Sequence, residues 1–330
     1  MQWVEEHPSV IFSEETKGKY ICPICEKYFE IEDTKKSKNN YLTLEDIPPK
    51  SMGGNANLLT CKDCNSKAGS KLDAELLKVF EKSALINFKP NSSGKIKLSN
   101  GDIEIDSTID VNSDGVLNIR LNKKMAHPFK LDYLKDRIEL PNKKVYDLDD
   151  LNKVDEYFGK LNIKIDKNVN LKRSKIALLR IGYLSAFQRF GYGFMVNPNL
   201  ESIREQIQNP DKEILTKPFW LKNEWPDYMI GTNIIFKPKR LLAYLEVFKL
   251  KTNNFESNFG IILPGIGSPG LEAYDYINDV LCVGDGSKMC NIEMEQFQNR
   301  SFISKKEDAY ACHKLWNYCK YQKNQVTKDS

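Results

Sequence analysis

The sequence predicts an α+β protein, with a small cysteine-stapled module over residues 1–85 and a larger mixed α+β domain over 86–330. Three observations carry this. Two C-x-x-C pairs bracket short strand-like runs before residue 65. Apolar and polar residues alternate with period 2 from about residue 93 to 122, the signature of half-buried strands. Beyond that, helical apolar stripes and strand-like runs follow one another without the βαβ alternation of a parallel sheet. At 330 residues the chain is long enough for two domains, or for one large domain with an appended module.

Taken in order, "KYICPICEKYFEI" (19–31) reads as strand, knuckle and return strand, and "EDTKKSKNN" (32–40) as a charged loop. "YLTL" (41–44) is strand-like and leads into Glu45 and Asp46. Pro48-Pro49 and Gly53-Gly54 then mark a turn-rich loop. "NLLT" (57–60) gives a second strand. From Cys64 onward the pattern becomes helical, with Leu72, Leu76, Leu77 and Phe80 on one face. "GKIKLS" (94–99), "DIEIDSTIDV" (102–111) and "VLNIRLN" (116–122) are strands separated by "NGD" and "NSDG" turns, so 86–145 is β-rich. Residues 146–330 are mixed. Helices are expected over 146–160, 171–194 and 199–208, and strands of a second sheet over 232–238, 241–250 and 258–264. A closing helix is expected in "KEDAYACHKLWNYCKYQ" (306–322).

The composition, 41% apolar and 28% charged, is that of a soluble globular chain. The N-terminus has no basic stretch followed by an apolar one, so no signal peptide is visible. The longest apolar stretch, 176–196, is interrupted by Arg180, Gln188 and Arg189 and is too polar for a membrane span. These features predict a cytoplasmic protein with no membrane partner. The net charge is +4, but residues 1–80 hold 11 Lys against 13 Asp and Glu, a net of −2, leaving +6 on the remainder. Phosphate-binding surfaces are therefore expected on the second part or on local patches.

Cys22, Cys25, Cys61 and Cys64 form the two C-x-x-C pairs, while Cys282, Cys290, Cys312 and Cys319 are scattered. A reducing compartment disfavours disulfides. Four soft thiolates suit one tetrahedral Zn²⁺, and a closed shell makes the site structural. The 36-residue separation between Cys25 and Cys61 leaves room for a functional element, and the acid pair lies there.

In combination, "CPIC", "LTLEDIPPKSMGG" and "NLLTCKDCNSKAGS" resemble the HNH endonucleases, the ββα-metal nucleases, in their zinc-knuckle form. The resemblance covers about residues 18–80. It implies metal-dependent hydrolysis of phosphodiester bonds in DNA, in a bacterial defence or mobile-element setting. It further implies Glu45 and Asn65 as ligands of a catalytic Mg²⁺ or Mn²⁺, Asp46 at the position of the catalytic histidine, and Asn57 as the residue bracing the loop. Candidate nucleic-acid contacts are Lys35, Lys36, Lys38, Lys50, Lys67, Arg173 and Arg180.

Asp46 departs from the family. An aspartate near pKa 3.9 is a weaker base than a histidine near 6.5 by about 2.6 units, or about 3.5 kcal/mol of basicity at about 1.36 per unit. Adjacent strand residues also point to opposite faces, so Glu45 and Asp46 do not both reach one ion unless their strand bulges there. Three readings follow. Asp46 works as base or metal ligand; the site borrows His7, His127 or His313; or catalysis has been lost. In the last case the zinc scaffold binds nucleic acid, a protein partner or a second copy of the chain.

Other motifs are weaker. Residues 110–118 imitate the start of an EF-hand loop, but position twelve is Leu121 and strands flank it, so a β-turn is expected. Gly265-x-Gly267-x-x-Gly270 with Asp285 imitates a dinucleotide fingerprint, with Pro269 where the helix should open and no further βαβ pattern. Cys290, Cys312, His313 and Cys319 are read as core residues beside Trp316.

Overall fold

In a computed structural model of the chain, the described residues are 19–35, 39–100, 103–121, 162–165, 168–195, 197–215, 221–223, 225–265, 270–281 and 292–297. The elements in chain order begin with strands β1 (Tyr20–Ile21), β2 (Tyr28–Phe29), β3 (Leu42–Ile47) and β4 (Asn55–Cys61). Helix α1 (Lys62–Ala68) continues through a π-helical turn (Gly69–Asp73) into α2 (Ala74–Ile86). Strands β5 (Ser93–Asn100), β6 (Ile103–Val111), β7 (Leu117–Leu121) and β8 (Asn162–Ile165) follow. Then come α3 (Leu171–Phe190), α4 (Tyr192–Met195), α5 (Glu201–Gln208), β9 (Leu221–Asn223), β10 (Gly231–Lys237), β11 (Ala243–Lys251), β12 (Glu256–Pro264), α6 (Glu272–Leu281) and β13 (Glu293–Gln296). The fold is α+β with antiparallel sheets, as the sequence predicts. The helices expected over 146–160 and 306–322 lie outside the described residues, as do Cys282, Cys290, Cys312 and Cys319 and the three histidines.

The chain divides into two compact units. One joins residues 1–76 with 171–251 and 256–330, and the other comprises 77–170 with 252–255. In the second unit a four-stranded antiparallel sheet, ordered β7-β6-β5-β8, packs Ile96, Leu98 and Ile109 against Leu85 of α2. The EF-hand-like segment is the β6–β7 turn. Asn112 Oδ1 accepts from the amides of Asp114 (2.9 Å) and Val116 (2.8 Å), and Gly115 supplies the positive φ of +80°.

In the first unit, a five-stranded antiparallel sheet ordered β13-β10-β11-β12-β9 carries the long helix α3. Gly182 permits this contact, because a Cβ there would stand 2.9 Å from Ile261 Cβ. Thirteen of the twenty residues of α3 are buried. Every residue from Ile176 to Leu184 is buried, so the middle of α3 is covered on every side, and the helix is the spine of the unit. Leu179, Ile181 and Leu184 are at most 1% exposed, each contributing about 1.5–3 kcal/mol by burial. The helix expected to reach residue 194 breaks at Gly191, where φ is +60°. No helix among the described residues is long and apolar enough to cross a membrane.

Under the spine, on β11, Glu246 is 1% exposed and its Oε1 has no hydrogen-bond partner. Burial raises its pKa to about 7, only partly offset by Thr232 and the Arg189 guanidinium. The folded-state value lies above the unfolded one, so between about pH 4.5 and 7 the folded chain binds the extra proton, and stability falls as pH rises. Glu246→Gln should remove that slope. It should stabilise the protein at pH 8 relative to wild type by up to about 3 kcal/mol, and by little at pH 4. Urea unfolding at both pH values measures the difference.

Candidate metal centre and acid pair

The first knuckle forms because the β1–β2 ribbon turns tightly after Pro23. Cys22 N donates to Lys27 O (3.0 Å), Glu26 N donates to Cys22 O (2.9 Å), and Glu26 adopts a left-handed φ of +58°. The second knuckle is the junction of β4 and α1, with Cys61 ending the strand and Cys64 in the first helical turn. The four Sγ atoms lie within 4.8 Å of one another, and Cys25 Sγ is 3.7 Å from Cys61 Sγ. A tetrahedral thiolate shell with metal–sulfur bonds of about 2.3 Å sets its sulfurs about 3.8 Å apart, so the tetrad fits one thiophilic ion. The amide of Cys61 donates to Cys22 Sγ at 3.5 Å, a contact that supports a thiolate. Among the described residues this is the one grouping of three or more Cys, His, Asp or Glu side chains placed to hold an ion. A cavity of about 200 Å³ opens beside the thiols, with Lys27, Lys67 and Arg180 in its wall.

The knuckle is held from the far part of the chain. Tyr183 on α3 donates to Pro23 O (2.9 Å), and burial pushes its phenol up to about 12, so it stays a donor. Tyr192 accepts from Ile21 N (2.9 Å), Gln208 Nε2 donates to Ile24 O (2.9 Å), and Arg204 pairs with Glu26 (2.9 Å). Nothing in the local spacing of the cysteines signals these four tethers.

Strands β3 and β4 form the expected hairpin, followed by the expected helix. The pairing runs Glu45 with Leu58 and then Asp46 with Ala56, so Asn57 is the extra residue of a bulge. Asn57 is exposed. Among the described residues no side-chain hydrogen bond joins Asn57 to the loop over 48–54. That loop is held by Pro49 O, which accepts from Met52 N (2.8 Å), and by the fully buried Met52 side chain. Asn65 Nδ2 donates to Thr43 Oγ1 (3.0 Å) and Leu44 O (3.2 Å), tying α1 to β3.

Glu45 is 3% exposed, and both of its oxygens are engaged. Oε1 lies 2.5 Å from Arg180 Nη2, and Oε2 accepts from Thr60 Oγ1 at 2.9 Å. Arg180 Nη1 lies 3.3 Å from Asp73, which the π-helical turn aims back toward α3. Burial pushes the Asp73 carboxyl up, the Arg180 charge opposes this, and the Glu45 charge adds to it. These contacts correct two expectations. Glu45 does not fit a catalytic metal ligand, because a guanidinium already holds it. Arg180 does not reach a nucleic acid, being 2% exposed and ion-paired inside the unit.

Asp46 is half-buried, and no hydrogen bond or ion pair engages its carboxylate among the described residues. Lys35, Lys50 and Lys67 are exposed, and Lys67 Nζ donates to Gln208 O. Arg173 pairs with Asp211 at 2.7 Å. Lys36 and Lys38 lie outside the described residues. No known family, curated protein or solved structure matches this chain.

Two predictions follow from the geometry. Arg180→Met leaves two buried carboxylates without their counter-ion and should cost about 3–5 kcal/mol. Adding Glu45→Gln and Asp73→Asn should recover most of that loss, as read by chemical denaturation. Cys61→Ser should lower the stability of the α3 spine together with the knuckle, because Tyr183, Tyr192, Gln208 and Arg204 join them. Hydrogen exchange would show both regions losing protection in one step. Loss confined to residues 20–68 would contradict the coupling.

Proposed function

We propose that this chain is a nucleic-acid-binding protein built on an HNH-type, zinc-knuckle ββα scaffold, with structural Zn²⁺ on Cys22, Cys25, Cys61 and Cys64. The observation that carries the reading is the buried Arg180–Glu45 pair. Glu45 stands at the position that holds the hydrolytic cation in the resembled family, and here an arginine side chain supplies that positive charge. A buried ionised carboxylate requires a counter-charge, and a cation attached to the same chain supplies it without depending on the concentration of free metal. A scaffold arranged so retains its fold and its surface without the divalent ion on which phosphodiester hydrolysis depends. The thiolate tetrad supports zinc through its spacing and its all-sulfur shell.

A second reading, a metal-dependent endonuclease acting on DNA, is favoured by Asp46. Its carboxylate carries no partner among the described residues and stands where that family holds its proton acceptor. In this reading Asp46 takes a proton from the attacking water, and the Glu45–Arg180 pair positions the strand that carries it.

Plasmid nicking with Mg²⁺, Mn²⁺ or EDTA separates the two. The binding reading expects wild type, Asp46→His and Asp46→Asn to be equally without cleavage. Metal-dependent nicking that rises in Asp46→His and disappears in Asp46→Asn would overturn it in favour of the endonuclease. Metal analysis should find about one zinc per chain, and less than about half an equivalent would reject the zinc assignment.

A further inference from the structure

Two runs of cations from distant parts of the sequence meet on one surface of the first unit. Lys67 and Lys71 are exposed and four residues apart along the α1–π segment, so they share a face. Lys172 and Lys175 are exposed and three apart in the first turns of α3, with Arg173 between them. The segment 208–211 ties the two runs together, since Lys67 Nζ donates to Gln208 O and Arg173 pairs with Asp211 at 2.7 Å. The Asp211 carboxylate is held below its usual range, first by its hydrogen bond from Arg173, with Lys71 and Lys172 adding to the effect. All three cations therefore act on one point of the surface.

The three segments that form this surface, 62–75, 171–175 and 208–213, hold seven Lys and Arg against five Asp and Glu, a net of +2, and the start of α3 carries three of the seven cations with no acid among them. The positive charge is concentrated at the start of α3, in the part of the chain that carries the net +6, and the knuckle helix adds Lys67 and Lys71 to it. Lys71 and Lys172 carry no ion pair among the described residues. Leu171 is the exposed large apolar side chain on these elements, too little for insertion into a lipid surface.

We propose that this face, shared by the knuckle helix and the start of α3, is where the phosphate backbone of a nucleic acid lies. The assignment rests on the binding reading above and deepens it. Of the cations Lys67, Lys71, Lys172, Arg173 and Lys175, the last three come from α3, outside the ββα scaffold, so the knuckle and the spine must be assembled for the face to exist. Phosphate contacts of this kind give affinity without sequence preference and release counter-ions on binding.

Fluorescence anisotropy of the full chain with a short labelled DNA duplex, and with its single strand, from about 50 to 200 mM salt tests this. Lys71→Gln and Lys172→Gln should each flatten the slope of log K against log salt by about one unit. Lys95→Gln and Lys164→Gln, exposed on the sheet of the second unit, should leave it unchanged. All four side chains are exposed, so circular dichroism should show every variant folded. Tight, salt-dependent binding that the Lys71→Gln/Lys172→Gln double variant retains in full would overturn the surface and spare the binding reading. Absence of binding to either probe at about 50 mM salt would overturn both.

Discussion

The ion triad of Arg180 with Glu45 and Asp73 is the constraint on which the first unit depends. A guanidinium 2% exposed is tolerated only with carboxylates in reach, and the carboxylates only with the guanidinium. The three groups come from three elements: β3, the π-helical turn and the middle of α3. Satisfying them fixes the hairpin and the helix after it against the spine. The π turn is part of this solution. A regular α-helix would leave its side chains in another register, and the inserted residue lets Asp73 face α3 while Leu72 stays 2% exposed. Burial raises the Asp73 carboxyl, the Arg180 charge opposes this, and the second acid of the triad, Glu45, adds to the rise.

The cysteine tetrad lies against the same spine, and the two devices reinforce each other. Tyr183 and Arg180 occupy neighbouring turns of α3, one bonded to the knuckle backbone and the other to β3. An ion on the thiols would fix the ends of β1 and β4, and Tyr20 already joins these strands by donating to Leu59 O at 2.6 Å. The ββα scaffold is thus not a free-standing module clipped by metal. It is one wall of a core whose other walls are α3, α5 and the sheet.

What was legible in the sequence follows from range. Spacing within a few residues identified the knuckles, the hairpin, the helix after Cys64 and most of the strands, because C-x-x-C, period-2 alternation and Gly/Pro punctuation are local signals. The bulge was not legible: strand parity separates Glu45 from Asp46, and the extra residue lies on the partner strand at Asn57. Arg180 was misread because periodicity reports one apolar stripe and cannot show that a helix is covered on all sides. Its partners lie 107 and 135 positions away in sequence, and no local pattern announces an ion pair across that distance. The misreading of Glu45 followed from that of Arg180. A family pattern assigns a role by position, whereas the environment at that position decides which cation is there.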